Sequence, residues 1–524
     1  IAGCKLKKRW ELQSELSYDT WLEKCTSDPY FLASTLNAFF PDALDSRALN
    51  SAETSDEGLP LESIEENLQL VVGAGKSIGA TFNADMDISG CAMKDPFSCI
   101  ELVWPLIQAI YGQPISIQKC PVLILLKGND DEEEDETARF MKSSTLQAIL
   151  IRWINHLAAA GGLEKRAANL GADLRDGEIL LNVLRQTGDV VEEETVITSI
   201  ISTLRQRNIA LWMKPRYIEG GKARLLEALC AVMFTNNSGL RESDMSKEAV
   251  EKAQMLEEED PTQTQEYRTY KMWLNSLVPY IEGAPVIVDL VEDLRDGVFL
   301  CKVLAVIAGD LLDVDFKRVN MKPRNRYHRV ENTNYAISLC QELGFNLHNL
   351  GGLDILDCKD PKLLYALLYK CLQFHSLQIV SRALGLNQSG ISTRDIDESE
   401  IIDWANEKCE DNGASGDLES FKSADLANSV FFMDLLEAME PGVVDWDILK
   451  GVESKEDRKH NAQYVISVAR KLGCPVFITW EDIIQVNRHM LMTFVANLMT
   501  MDLSKNSNST LDQQVLTKER MRIK

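Results

Sequence analysis

The sequence predicts an all-α protein built from four successive helical units, and three observations carry that reading. The first is a pair of unlike motifs held at a fixed distance. Trp153-Ile154-Asn155 precedes Asp173-Leu174-Arg175-Asp176-Gly177, and Trp273-Leu274-Asn275 precedes Asp293-Leu294-Arg295-Asp296-Gly297, with 20 residues from Trp to Asp in both. A third copy opens at Trp404-Ala405-Asn406 and reaches a decayed Asp425-Leu426-Ala427-Asn428 after 21 residues. Equal offsets between unlike motifs mark a repeated folding unit. The second observation is a 12-residue interval from Asn to Gly, at Asn67 to Gly79, Asn332 to Gly344 and Asn461 to Gly473. Within each interval apolar residues at helical spacing bury one face, and the Gly suits a C-terminal cap. The third is that each unit closes on a strongly apolar helical stretch, at residues 96–111, 222–234, 361–374 and 488–499.

Taken in order, the first unit is expected over residues 1–125. It opens on a basic amphipathic helix at 5–16 and continues through an apolar helix over 28–50 that breaks at Pro41. It lacks the Trp-x-Asn opening. The second unit, 144–236, carries an apolar helix over 197–209 where the others have a Glu-Asn or, in the fourth, His-Asn helix start. The third and fourth are placed at 264–377 and 396–503. Polar joins lie at 129–136, 236–265 and 376–399. Like charges at 130–135 repel one another and read as a solvated linker, with residues 122–126 packing locally before it. The tail after Ser504 is polar and expected to fray.

The chain has 524 residues, 45% of them hydrophobic, which suffices for several ordinary cores. A net charge of −25 argues against a general nucleic-acid binder, because phosphate contacts need a basic face. Local groups of cations remain available for an acidic partner. The twelve cysteines form no C-x-x-C and read as small buried apolar residues rather than a disulfide framework. Apolar runs are far too short to span a bilayer, so no membrane insertion is expected, and no signal peptide is apparent. The chain opens on Ile1 rather than Met, which leaves a missing N-terminal region open.

Several motifs invite a chemical reading and are better explained as structure. The tryptophans at 153, 273 and 404 sit in apolar helical patterns and read as core anchors. In the Asp-x-x-Asp-Gly turns, Asp176 and Asp296 suit capping of helix amides, while Gly177 and Gly297 relieve crowding. No histidine or nucleophile recurs beside them, so no enzyme and no catalytic residue is expected. Gly73-Ala74-Gly75-Lys76-Ser77 imitates the end of a phosphate loop. Position 70 is Leu where that loop needs Gly, and the stretch falls inside a helical pattern. Asp85-x-Asp87-x-Ser89-Gly90 begins like a calcium loop, but its closing position holds Pro96 instead of Glu, so it reads as a turn. No metal site and no cofactor is expected.

The ordered motifs resemble the calponin-homology domain, an all-helical module with a Trp-x-Asn first helix and an Asp-x-x-Asp-Gly turn. Four in one chain resemble the actin-bundling core of the fimbrin family, also called plastins. The segments PDALDSRALN (41–50), LQAILIRWINHLAAAGG (146–162) and DRKHNAQYVISVARKLG (457–473) are similar to that family's first-domain signature, its entry into the second domain and its fourth domain. The resemblance implies four calponin-homology domains arranged as two tandem actin-binding pairs. It implies filament contact by residues 95–111 with 143–154, and by 361–374 with 399–406 and 267–273. On those stretches the candidate actin-binding residues are Trp104, Gln108, Tyr111, Gln147, Arg268, Lys271, Lys362, Tyr365 and Lys370. Around 361–374, Leu363, Leu364, Leu367, Leu368 and Leu372 are expected inward, with Lys362, Tyr365 and Lys370 outward. Arg268, Lys271, Lys317, Arg318, Lys322, Arg324, Arg326 and Arg329 form the densest basic group and are read as facing an acidic filament. The implied protein is a monomeric cross-linker of two actin filaments in the cytoplasmic cytoskeleton. A scaffold on actin, microtubules or cilia with one working actin face is the rival, motivated by the irregular first two units.

Overall fold

Regular structure among the described residues is helical throughout, as the apolar spacing predicts. The structure is a computed structural model. It describes residues 29–51, 59–126 except 84 and 118, 141, 144–247, 250, 264–383 except 282, 348 and 349, and 398–506 except 415 and 416. The expected helix at 5–16, the acidic linker, parts of the other two joins and the end of the tail lie outside the described residues.

The first quarter of the chain supplies α1 (Pro29–Phe39), α2 (Leu61–Ser77), α3 (Ile88–Ala92) and α4 (Pro96–Gly112). The second supplies α5 (Leu146–Ala160), α6 (Glu178–Gln186), α7 (Val196–Gln206), α8 (Pro215–Glu219) and α9 (Ala223–Asn236). The third supplies α10 (Gln265–Leu277), α11 (Leu290–Leu294), α12 (Val298–Ala308), α13 (Arg326–Glu342), α14 (Gly352–Asp357) and α15 (Pro361–Ala383). The fourth supplies α16 (Glu398–Asp411), α17 (Val430–Met439), α18 (Lys455–Lys471), α19 (Trp480–Ile484) and α20 (Arg488–Asn506). Starts follow capping chemistry. The side chains of Thr145, Thr264, Asn325 and Ser454 each accept a bond from an amide three residues on, which satisfies one orphan donor of the first turn.

The recurring asparagines explain the repeat. Asn155, Asn275 and Asn406 each grip one peptide 12 residues later, donating Nδ2 to its carbonyl and accepting its amide at Oδ1. The gripped residues are Ala167, Ile287 and Leu418, with all six bonds between 2.8 and 3.0 Å. A second set works in the same way, Asn67 on Asn50, Asn332 on Asn320 and Asn461 on Lys450. An amide side chain offers one donor and one acceptor in the geometry of a backbone peptide, so Asn pins a loop that has no ladder of its own. This second set sits in the middle of α2, α13 and α18. The Glu-Asn pairs read as helix starts are therefore interior, because the asparagine is needed opposite the loop, not at the cap. The glycines that follow do cap, with φ of 96°, 80° and 90° at Gly79, Gly344 and Gly473.

The tryptophans separate into two kinds. Trp153 and Trp273 are 0% exposed, and their indole Nε1 atoms donate to Ser238 O (2.8 Å) and His375 Nδ1 (3.2 Å). Trp404 is only half-buried, so the third Trp-x-Asn copy keeps the clamp and loses the full anchor. Helix α15 runs nine residues past the expected end at 374, into the stretch read as a polar join, because Val380 and Ser381 are buried on it. Leu363 is half-buried, while Leu364, Leu367, Leu368 and Leu372 are core.

The chain divides into two compact units, and not at the joins. One holds Leu106–Pro261, and the other holds the described residues before Leu106 together with those after Pro261. The first is centred on Trp153, which meets Phe234 edge to face at 5.2 Å between ring centroids. In the second, α2 lies along α18. Gly73 allows that approach, since a Cβ there would come within 3.0 Å of Arg470 Cβ. This is the structural use of the pseudo phosphate loop, which lies inside α2. Bonds cross the same seam. Asp45 N donates to Ser467 Oγ, Arg47 Nη2 to His460 O and Lys471 Nζ to Asn50 Oδ1, each at 2.8 Å. Arg470, 7% exposed, donates to Ala43 O at 3.1 Å, and burial pulls its guanidinium down to about 10.

Candidate functional surfaces

The Asp-Leu-Arg-Asp-Gly turns are scaffold. Asp173 Oδ2 accepts the amides of Ala168 and Asn169, and Asp293 Oδ2 those of Val288 and Asp289. Asp176 and Asp296 take the second amide after themselves, at the starts of α6 and α12. Arg175 and Arg295 reach the carbonyls of Glu219 and Leu356. In both turns the motif's carboxylates and arginine thus bond to backbone groups that join loop to helix. Asp87 likewise caps α3 through Gly90 N at 2.8 Å, as a turn residue should.

On α4 the expected face Trp104, Gln108 and Tyr111 turns largely inward. Gln108 Nε2 donates to Glu227 Oε1 of α9 at 2.8 Å, and Glu227 is itself buried. Burial raises the Glu227 carboxyl, and the Gln108 bond partly offsets it. Tyr111 packs against the core around Trp153, and burial pushes its hydroxyl pKa up. Trp104 is half-buried. Spacing of four and three did identify one helix face, but that face packs against protein. Gln147, in the first turn of α5, is exposed; Ser143 lies outside the described residues.

Around α15 the correction is similar. Tyr365 is buried, 5.9 Å from the ring of Tyr270, and burial raises its hydroxyl to about 12. Lys271 is turned inward, donating to Val288 O at 2.6 Å, and burial holds its ammonium below the usual lysine range. Its long stem reaches a carbonyl that the Asp293 turn leaves exposed to it. Arg268 is exposed and pairs with Glu481 at 3.0 Å, tying the third repeat to the fourth. Lys370 is half-buried with its ammonium 5.5 Å from the Tyr369 ring centroid. Only Lys362 stands clear on the first turn. Helix α15 packs chiefly on α20, α10 and α12, and α16 packs on α17 and α20.

Two residues at the corresponding end of α4 were missed. Lys94-Asp95-Pro96-Phe97 and Lys359-Asp360-Pro361-Lys362 align without a gap, and both aspartates cap their helices. Phe97 is 73% exposed and Met93 66%. The shared Lys-Asp-Pro was the signal that could have found them.

The calponin homology domain family matches residues 264–376 and 395–504. Fimbrin-4 of Arabidopsis thaliana is 32% identical over 92% of this chain and 72% of its own length. The chain belongs to the fimbrin/plastin family. Fimbrin of Saccharomyces cerevisiae is 30% identical over 91% of this chain and 72% of its own, and plastin-1 of Gallus gallus 28% over 93% and 76%. The fold agrees with the solved actin-crosslinking core of Schizosaccharomyces pombe fimbrin, at a TM-score of 0.69 and 23% identity, covering 92% of this chain and 93% of that one. Set in the fimbrin fold, the four quarters described above are calponin-homology domains in two tandem pairs.

Proposed function

We propose that this chain cross-links actin filaments into bundles as a structural protein rather than an enzyme. The observation that carries the reading is membership of the fimbrin/plastin family over more than nine-tenths of the chain, with a solved relative described as an actin-crosslinking core. The scaffold alternative is not favoured, because the likeness extends through both halves. Domain limits near 1–125, 144–236, 264–377 and 396–503 are part of this proposal. So are two filaments per monomer and a cytoplasmic place in the actin cytoskeleton. Among the described residues no helix is long and apolar enough to cross a membrane.

Two weak grips on one body act at high effective concentration when both can engage, and this is the basis of bundling. We assign the grips to the exposed starts of α4 and α15, with Met93 and Phe97 at one and Lys362 at the other. Gln147 and Arg268 stand as flanking contacts. Trp104, Gln108, Tyr111 and Lys370, all half-buried, and the buried Tyr365 lie further along the same two helices, and Lys271 lies on α10 against Val288 O. The test uses the full chain with filamentous actin. Phe97→Ser and Lys362→Glu, each alone, are expected to leave filament binding in high-speed pellets and reduce low-speed bundling at least tenfold. Retained bundling in both variants would move the grips elsewhere, and no bundling by the unaltered protein would end the cross-linking reading.

A further inference from the structure

The turn between α7 and α8 departs from its three counterparts. Asn208 takes the left-handed cap that Gly79, Gly344 and Gly473 take elsewhere, with φ of 54°. The following amides bond back alike, Ile209 to Leu204 O, Ala80 to Gly75 O, Phe345 to Cys340 O and Cys474 to Ala469 O, so positions after the cap can be counted in register. Three and four residues on, the fourth repeat has Val476 and Phe477, both buried, and the first has Phe82, also buried. The second has Leu211 and Trp212, which are 53% and 36% exposed. They are the tip of a turn closed by Met213 N to Ala210 O at 2.8 Å, and Ala210 and Met213 themselves are buried. Ala210 holds φ of 47°, a strained value for a residue with a Cβ. Turn tips are ordinarily Gly, Asn, Asp, Ser or Pro. Among the described residues, this is the one place where two consecutive large apolar side chains are exposed.

The charge around the tip is opposite to that of the chain. Residues 205–216 hold Arg205, Arg207, Lys214 and Arg216 and no carboxylate, in a protein of net charge −25. Arg207 is committed to the carbonyls of Leu184 and Asp189 and to Thr187 Oγ1, which fixes the turn's base. Arg205, Lys214 and Arg216 are exposed. We propose that the Ala210–Met213 turn docks on an anionic lipid surface, with Leu211 and Trp212 entering the headgroup layer and the flanking cations meeting lipid charge. A convex tip has no groove for a partner's side chains, whereas an indole beside cations suits the boundary between water and acyl chains. The acidity of the whole chain does not oppose this, because charges beyond a Debye length of about 8 Å are screened at physiological salt. The contact is shallow and would tether a bundle to a membrane without spanning it.

The full chain is sedimented with sucrose-loaded vesicles of phosphatidylcholine alone, or of phosphatidylcholine with about one-third phosphatidylserine. At about 1 kcal/mol per cation near the surface, three cations predict a preference of roughly 100-fold for the anionic vesicles. Leu211→Ser with Trp212→Ser, and separately Lys214→Glu with Arg216→Glu, are expected to lower that binding more than tenfold. Thermal unfolding should not change, since these side chains are exposed. Equal sedimentation with both vesicle types, or undiminished binding by the serine variant, overturns the proposal. So does a result in which vesicles are ignored and the same variants lose filament binding, which would make the tip a protein contact. The assay contains no actin, so its outcome is separate from that of the cross-linking test.

Discussion

Arg175 and Asp176 stand in solvent while Arg295 and Asp296 are half-buried, although one set of backbone bonds holds both turns. The bonds keep the Asp173 carboxyl below the usual carboxylate range, and burial pushes Asp293 up to about 7 despite equivalent amides. Gly177 and Gly297 share φ of 76°, yet their surroundings differ. A Cβ at Gly177 would meet the ends of isoleucine side chains, and one at Gly297 would meet Thr333 N at 2.7 Å. The motif therefore specifies a geometry, and what packs over it decides the chemistry.

The comparison breaks most visibly at the anchors beneath the turns. Trp153→Ala and Trp273→Ala should each cost about 3–5 kcal/mol, the range for emptying a buried aromatic site. Trp404→Ala should cost less than half as much, because Trp404 is half-buried. Urea denaturation of the full chain checks this, and equal losses at all three would mean that the fourth repeat is anchored like the others.

A smaller difference is expected at the glycines. An added Cβ at positive φ costs on the order of 1–3 kcal/mol, and Gly297→Ala adds a clash with backbone that cannot rotate away. Its melting temperature should fall below that of Gly177→Ala, and the reverse order would show that the half-buried turn is the more pliant. The smallest effect is in proton affinity. Carboxyl titration by NMR should find Asp293 well above Asp173. A raised folded value means that the Asp293 contribution is fully present below the unfolded pKa, near 3.9, and is lost as pH rises through about 7. Asp173 has the opposite sign, with stability lost as pH falls through its lowered value. Asp293→Asn should flatten the first slope and leave the second.

Much of this architecture could be read from spacing. Trp-x-Asn and Asp-x-x-Asp-Gly recur because a clamp needs its loop at a fixed distance, so Asn155, Asn275 and Asn406 keep a separation of 12 from what they hold. The candidate surface was less legible. Helical periodicity finds a stripe but does not say which neighbour covers it. Tyr365 and Lys271 read as outward on their own helices and are enclosed by others. Phe97 falls within the 95–111 stretch without being singled out, and it stands in solvent on the first turn, while Ser98, Cys99, Leu102, Val103 and Leu106 of α4 are buried.

The seam between α2 and α18 bears on how the molecule is made. Asp45 and Ser467 are 422 residues apart in sequence. A ribosome adding about 5–20 residues per second needs about 20–85 s to reach the second from the first. Throughout that interval the early helices have emerged with Gly73 and Ala43 lacking their cover. The fourth repeat thus completes the first, and nascent molecules stalled before α18 would carry an unfinished surface along α2.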